Sequence, residues 1–245
     1  MKTLGILSLS ILLMMGCKQA KTSDTGTSGE KNTEPKEAVK PAAVKTTVDT
    51  TFTFENYETG KLPASWTQGF TGKGTGTKWD IVDDNGNKVL AQLSGDNPSY
   101  HFNVVVNNDL RLKNMELTVR LKGVHGRTDQ GGGFVWRFTD FNNYYVVRAN
   151  PLEDNVVLYK VVNGKRTDLP LVGKGRTYGV KVKPLGNGWN TLKLTVQDDL
   201  FTVYLNGKQL FRVKDEVFKD AGKIGLWTKA DAVSYFDDYH VKELP

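Results

Sequence analysis

From Thr51 onward the chain repeats one theme: four to eight residues rich in Val, Phe, Tyr, Thr and Trp, then a cluster of Gly, Asn or Asp. Such spacing predicts β-strands separated by tight turns. The alternation is clearest over Thr191 to Val196, where Leu192, Leu194 and Val196 would face a core and Thr191, Lys193 and Thr195 would face away. It returns in Phe201, Val203 and Leu205 against Thr202 and Tyr204, with Asp198-Asp199 as the intervening turn. Asn163-Gly164 and Asn206-Gly207 sit between strand-like runs and accept the positive φ angles of a type I′ hairpin. Counting such runs from Thr51 to Ser234 gives roughly a dozen strands. Helical periodicity is nowhere sustained, and only Asp215 to Asp220 could make a single helical turn.

Antiparallel strands in this number curl or split into two facing sheets with a core about 10 Å thick. The predicted fold class is therefore all-β, a two-sheet antiparallel jelly-roll sandwich over residues 50–245. The sequence before it has another character. Lys2, an apolar run from Leu4 to Met15 and Gly16-Cys17 form a cationic start, a hydrophobic stretch of about 12 residues too short to span a bilayer, and a small residue at a cleavage point. This arrangement at 1–17 predicts a bacterial lipoprotein signal, with Cys17 lipidated as the first mature residue. An ordinary secretory signal is the alternative, since Met14 stands where lipoprotein signals usually carry leucine. Two or more acyl chains suffice for stable anchoring, so the expected location is the cell envelope, lipid-anchored, at the outer membrane. Residues 18–49 hold no aromatic residue and no apolar one larger than valine, too little to offset chain entropy, and read as a disordered tether.

Composition then removes several chemistries. Cys17 is the only cysteine, which excludes disulfides, thiolate metal sites and a cysteine nucleophile from the folded part. The chain carries a net charge of +6; Lys2 and a tether with six lysines against five acids account for two of these charges. The remaining excess of about four is scattered among acids, with no nucleic-acid motif beside it. A monomer with no nucleic-acid partner is expected.

The densest candidate chemistry runs from Asp129 to Asn150, read as strand, turn, strand. If Phe134, Trp136 and Phe138 face the core, Arg137 projects from the opposite face, where Tyr144 and Arg148 of the returning strand would join it. Lys160 in the next hairpin would extend the set. Side-by-side cations repel, so they are either interleaved with acids or await a polar or anionic ligand. An outward tyrosine offers a stacking surface for a sugar ring, with Asn, Asp and Arg bonding its hydroxyls; the competing expectation is that the aromatics, including Trp66, Trp79, Trp136, Trp189 and Trp227, are mostly core. On this reading the substrate-binding set is Tyr144, Arg148, Asn143, Lys160 and Asn103, and the catalytic candidates are His101, Asp140 and Arg137. His101 shares a strand face with Asn103 and could serve as a general base in a sheet-lined cleft. The paired carboxylates of ordinary glycosidases are missing, because the glutamates of the folded part are scattered. Gly72 to Gly76 lacks the ending of a phosphate loop and reads as a turn. Asp237 and Asp238 are adjacent on the last strand, which is costly unless they are exposed or neutralised; with Glu55 they could hold a structural Ca2+.

Phe54-Glu55-Asn56, Gly60-Lys61-Leu62-Pro63 and Trp66 open a pattern continued by Gly133 to Arg137, Asp140, Asn143 to Tyr145, Arg148 to Asn150, Asn155 and Leu158 to Lys160. It closes with Gly225-Leu226-Trp227 and Phe236-Asp237-Asp238, and it resembles the 3-keto-disaccharide hydrolase family, covering nearly the whole folded part. The resemblance implies a concanavalin A-like sandwich and sugar handling outside the cytoplasm. It implies action on glycosides oxidised at C3, where the ketone acidifies the C2 proton and opens an elimination route without a pair of carboxylates. Lectin and laminin-G-like modules share that fold, so a non-catalytic glycan-binding module is the alternative expectation.

Overall fold

The computed structural model describes residues 47–245. The signal at 1–17, its lipidation site Cys17 and the tether up to residue 46 lie outside the described residues. Sixteen strands follow one another: β1 (Asp49–Phe52), β2 (Trp66–Gly72), β3 (Trp79–Asp83), β4 (Lys88–Gln92), β5 (His101–Leu112), β6 (Met115–His125), β7 (Gly132–Asp140) and β8 (Asn143–Asn150), then β9 (Asn155–Val162), β10 (Lys165–Asp168), β11 (Val180–Lys181), β12 (Asn190–Gln197), β13 (Leu200–Leu205), β14 (Lys208–Lys214), β15 (Gly222–Lys229) and β16 (Val233–Glu243). They form two antiparallel eight-stranded sheets, the sandwich that the spacing predicts. The first runs β14-β13-β12-β6-β16-β4-β3 with β1 on β16; the second runs β10-β9-β8-β7-β15-β5-β2 with β11 on β9. The two Asn-Gly turns join β9 to β10 and β13 to β14, with Asn163 and Asn206 at φ 50° and 48°. No helical turn forms at Asp215 to Asp220, which is irregular.

Between the sheets, Leu192, Leu194 and Val196 meet the inward residues of the second sheet, including Phe134, Trp136, Tyr145 and Val147. Trp136 stacks on Tyr145 at 5.4 Å between ring centres and receives the edge of Phe201 at 5.4 Å. Trp66, Trp79, Trp136 and Trp227 are buried; Trp189 is half-buried beneath Arg120 and Lys122.

The far face of the second sheet is not left wet. Phe102, Val104, Val135, Tyr144, Val146, Tyr159, Val161 and Trp227 form a second buried cluster there. Contacts among strands far apart in the sheet explain how it closes. The Tyr144 hydroxyl of β8 lies 2.7 Å from the Thr71 hydroxyl of β2, although three strands separate them in the sheet order. At the usual interstrand spacing a flat sheet would hold them about 19 Å apart, beyond the reach of a phenol. The sheet is therefore strongly curled. Thr71 also donates to the Phe141 carbonyl, and the Tyr100 hydroxyl donates to the Gly164 carbonyl while accepting from the Arg166 amide, 3.1 Å each. Gly69 makes room for this closure: a Cβ there would stand 2.3 Å from the Phe141 ring.

Candidate functional site

Arg148 is the best-braced charge on the curled face. It projects from β8 on the side of Tyr144 and Val146, and the turn leading into β9 brings Glu153 and Asn155 back to it. Its guanidinium donates to Glu153 Oε2 at 2.7 Å, to Asn155 Oδ1 and to the Tyr159 hydroxyl at 3.2 Å. Tyr159 in turn donates to the Tyr178 hydroxyl at 3.0 Å, and the Asn155 amide bonds Glu153 at 3.0 Å. Arg148 is 2% exposed, and its Nε has no partner among the described residues. Burial disfavours the charge, but Tyr159, Glu153 and Asp129 outweigh that and raise its pKa. Burial likewise opposes the Glu153 charge, and Arg148 with Asn155 prevails, holding that carboxyl below its ordinary value.

Above this network opens a recess of about 410 Å3 lined by Glu153, Asn155, Thr177, Tyr178, Gly179 and Lys181. Tyr178 is 47% exposed, and its backbone sits at φ 52°. A bulky residue in the left-handed region is uncommon and strained. Here the conformation holds an aromatic ring at the mouth of the recess, with a carboxylate, an amide and an ammonium within it. Such a set can stack on an apolar ring face and exchange hydrogen bonds with hydroxyls. Behind Tyr159, the Arg166 guanidinium lies 4.4, 4.7 and 5.8 Å from the ring centres of Tyr159, Phe102 and Trp227, so a cage of three aromatics is occupied by the protein's own cation.

The residues predicted from sequence are dispersed. Arg148 lies buried beneath the recess and bonds its lining residues Glu153 and Asn155, whereas Tyr144 is wholly buried and engaged with Thr71. Arg137 does not share their wall, which corrects the alternation assumed for it. It occupies a bulge at φ 46° where the β7–β8 register breaks, so Trp136 faces the inter-sheet core and Phe138 the curled face. Its guanidinium turns to the end of the sandwich and donates to the carbonyls of Lys113, Phe218 and Asp198. A cavity of about 310 Å3 there is lined by Arg137, Lys113 and Lys219 with Asp198, Asp199, Asp215 and Glu216. Lys160 belongs to the same region, 2.7 Å from Asp215, which also accepts the Tyr145 hydroxyl at 2.6 Å.

Asp140 is exposed and caps its own turn by accepting from the Asn142 amide and the Asn143 side chain; the Asn143 side-chain oxygen Oδ1 accepts from the Asn163 backbone amide. His101 is fully buried, stacked 4.6 Å from Phe70, with Nδ1 on the Lys73 carbonyl. Asn103 is spent on Thr228, Ala230 and Asn97. His101, Asp140 and Arg137 are thus held by three separate sets of partners, and none of them lines the recess. The calcium set does not converge either. Glu55 accepts from the Lys88 amide, Asp237 faces Asn87, and Asp238 pairs with Arg120 at 3.1 Å. Burial raises the Asp237 pKa. Among the described residues no group of three or more His, Cys, Asp or Glu is placed to hold a metal ion.

Sequence reasoning missed Tyr178, Arg166 and the role of Glu153. The first two lie on short or irregular segments with no alternation to orient them. Glu153 had one available signal, its position in a turn five residues from Arg148 across the β8–β9 hairpin.

No protein-family model and no curated protein matches the chain. Solved structures do. The carbohydrate-binding module CBM66 from Bacillus subtilis is 20% identical over 73% of this chain and 96% of that one, with a TM-score of 0.56. The cellulose-induced protein Cip1 is 11% identical over 78% and 96%, also at 0.56. The GH43 protein BlXynB from Bacillus licheniformis is 13% identical over 75% of this chain and 38% of that one, at 0.51. At such identities the likeness is one of fold: the chain is an all-β, two-sheet antiparallel sandwich of the architecture these structures share.

Proposed function

We propose that the folded part is a glycan-binding module, carried outside the cytoplasm on a lipid anchor at Cys17. The observation that carries the reading is Tyr178, a strained and half-exposed aromatic ring at the mouth of a recess whose polar groups are fixed by the buried Arg148. Sugar recognition pairs an aromatic platform with a few fixed hydrogen-bonding groups. The likeness to CBM66 and Cip1 supports the same direction. A glycan array probed with the full chain and with Tyr178→Ala tests it. Retention of a glycan class by the wild type and its loss in the variant are expected, and binding that persists undiminished in Tyr178→Ala would refute the site.

The sequence resemblance favours a second reading, cleavage of 3-keto-disaccharides. Within the recess Glu153 is the one carboxylate, so a proton transfer at C2 would fall to it rather than to His101 or Asp140. Sugar release from 3-keto-glycosides, abolished in Glu153→Gln, would establish that activity; no turnover would leave the binding module alone. For the anchor, acyl labelling of the wild type in a bacterial host and its absence in Cys17→Ser is the expected result.

A further inference from the structure

A second, larger groove adjoins the recess and shares Lys181 with it. Its volume is about 670 Å3. The floor is aliphatic: Val180, Val182 and Leu185 on one side, Leu205 and Leu210 from the β13–β14 hairpin on the other. The rim is cationic, with Lys174, Lys181, Lys183 and Lys208, all exposed, and no carboxylate lines the groove. None of these four lysines enters an ion pair among the described residues. The Lys181 ammonium bonds only a carbonyl, that of Glu153, at 2.7 Å. The contrast with the cavity at Arg137 is sharp, because there cations and acids are intermixed and neutralise one another.

Four ammonium groups gathered around one concavity without counter-charges raise the local potential, and a concave low-dielectric wall focuses it. A neutral sugar polymer gains nothing from that field. Because the groove continues into the Tyr178 recess through Lys181, a single extended ligand can occupy both.

We infer that the ligand is an acidic polysaccharide of the uronate class, its reducing or non-reducing end on Tyr178 and its following sugars along the lysine-rimmed groove. The inference rests on the glycan-binding reading of the recess. Sparse carboxylates separated by apolar ring faces match sparse lysines around an aliphatic floor. A densely sulfated chain would leave no apolar face for that floor. The floor side chains are sunk rather than protruding, Leu185 and Leu205 being buried, which suits a chain lying in a trough and not insertion into a bilayer.

The test is calorimetric titration of the full chain with oligogalacturonate, neutral dextran oligosaccharide and phosphatidylglycerol vesicles, at low and physiological salt. Oligogalacturonate is expected to bind at least tenfold more tightly than dextran and to weaken as salt rises. The double variant Lys183→Gln with Lys208→Gln is expected to lose about tenfold toward oligogalacturonate while neutral-glycan retention on the array stays unchanged. Equal affinity for acidic and neutral oligosaccharides, indifference to the lysine substitutions, or vesicle binding that those substitutions abolish would each overturn the acidic-ligand inference and leave the recess standing. Failure to bind any glycan at all, acidic or neutral, would instead remove the reading on which it rests.

Discussion

Asp129 is the residue whose removal should be felt most by the wall behind the recess. It is 1% exposed and its carboxylate accepts three hydrogen bonds: Oδ1 from the Gly131 amide at 2.7 Å and from the Asn150 side chain at 3.1 Å, and Oδ2 from the Lys229 ammonium at 2.8 Å. Asp129→Ala therefore leaves a buried backbone donor, a wholly buried amide and a mostly buried cation without partners. Each buried neutral donor so stranded costs about 1–3 kcal/mol, and breaking a buried ion pair from one side costs about 3–5 kcal/mol. These losses overlap because Lys229, with its side chain 18% exposed, recovers water in part. The net expectation is a loss of about 3–5 kcal/mol. For a domain of this size each kcal/mol moves Tm by about 2–4 °C, so calorimetry should record a drop of roughly 6–20 °C. Glu58→Ala is the control: its pair with Lys61 is exposed on both sides, and such pairs are worth at most about 1 kcal/mol. A Tm change below about 3 °C for Asp129→Ala would refute the reasoning, because that network would then contribute no more than a surface pair.

Tyr178→Gly should abolish glycan binding while Tm stays constant or rises slightly, since glycine relieves a left-handed conformation that costs other residues about 1–2 kcal/mol; a large fall in Tm would make the ring structural. Because Arg148 and Asn155 hold Glu153 below its ordinary 4.5, the stability it contributes is complete above that value and is lost as pH falls through the lower folded value. Wild type and Glu153→Gln followed from pH 7 to pH 3 should therefore show a Tm gap that closes in acid, and a gap that widens would contradict the sign. Gly133→Ala should fail to fold, since the added Cβ would stand 2.0 Å from the Val147 carbonyl oxygen with only backbone to yield; soluble protein with a native circular dichroism spectrum would count against the register.

Much of the architecture was legible because the turns state their own geometry. Asn163-Gly164 and Asn206-Gly207 adopt the positive φ angles that their composition favours, and the alternation over β12 and β13 assigns each side chain to the face it takes. β8 defeats the same logic. Its Tyr144, Tyr145, Val146 and Val147 are apolar on both faces because both faces are buried, so alternation carries no information about which side meets solvent. The Arg137 bulge shifts the β7–β8 register between Trp136 and Asp140 and turns the guanidinium away from the wall expected for it. Arg148 was recognisable as a candidate, but its counter-charge arrives from a turn and its aromatic neighbour Tyr178 from an irregular segment, and pairings of that kind are set by tertiary folding.

The latch between Thr71 and the β7–β8 hairpin also bears on solubility. β2 and β10 are the terminal strands of their sheet, and terminal strands present unpaired amides and carbonyls that recruit foreign chains. On the other sheet the ends are guarded by charge, with Asp80 and Asp83 on β3 and Lys208, Arg212 and Lys214 on β14. β2, with the sequence WTQGFTG, has no such guard. Its protection comes from curvature: Phe141 lies across Gly69, and the Thr71 hydroxyl ties the strand's end down. Losing that one hydroxyl would do more than soften the fold, because it would present a naked β edge and a greasy floor together, the combination from which intermolecular sheets grow.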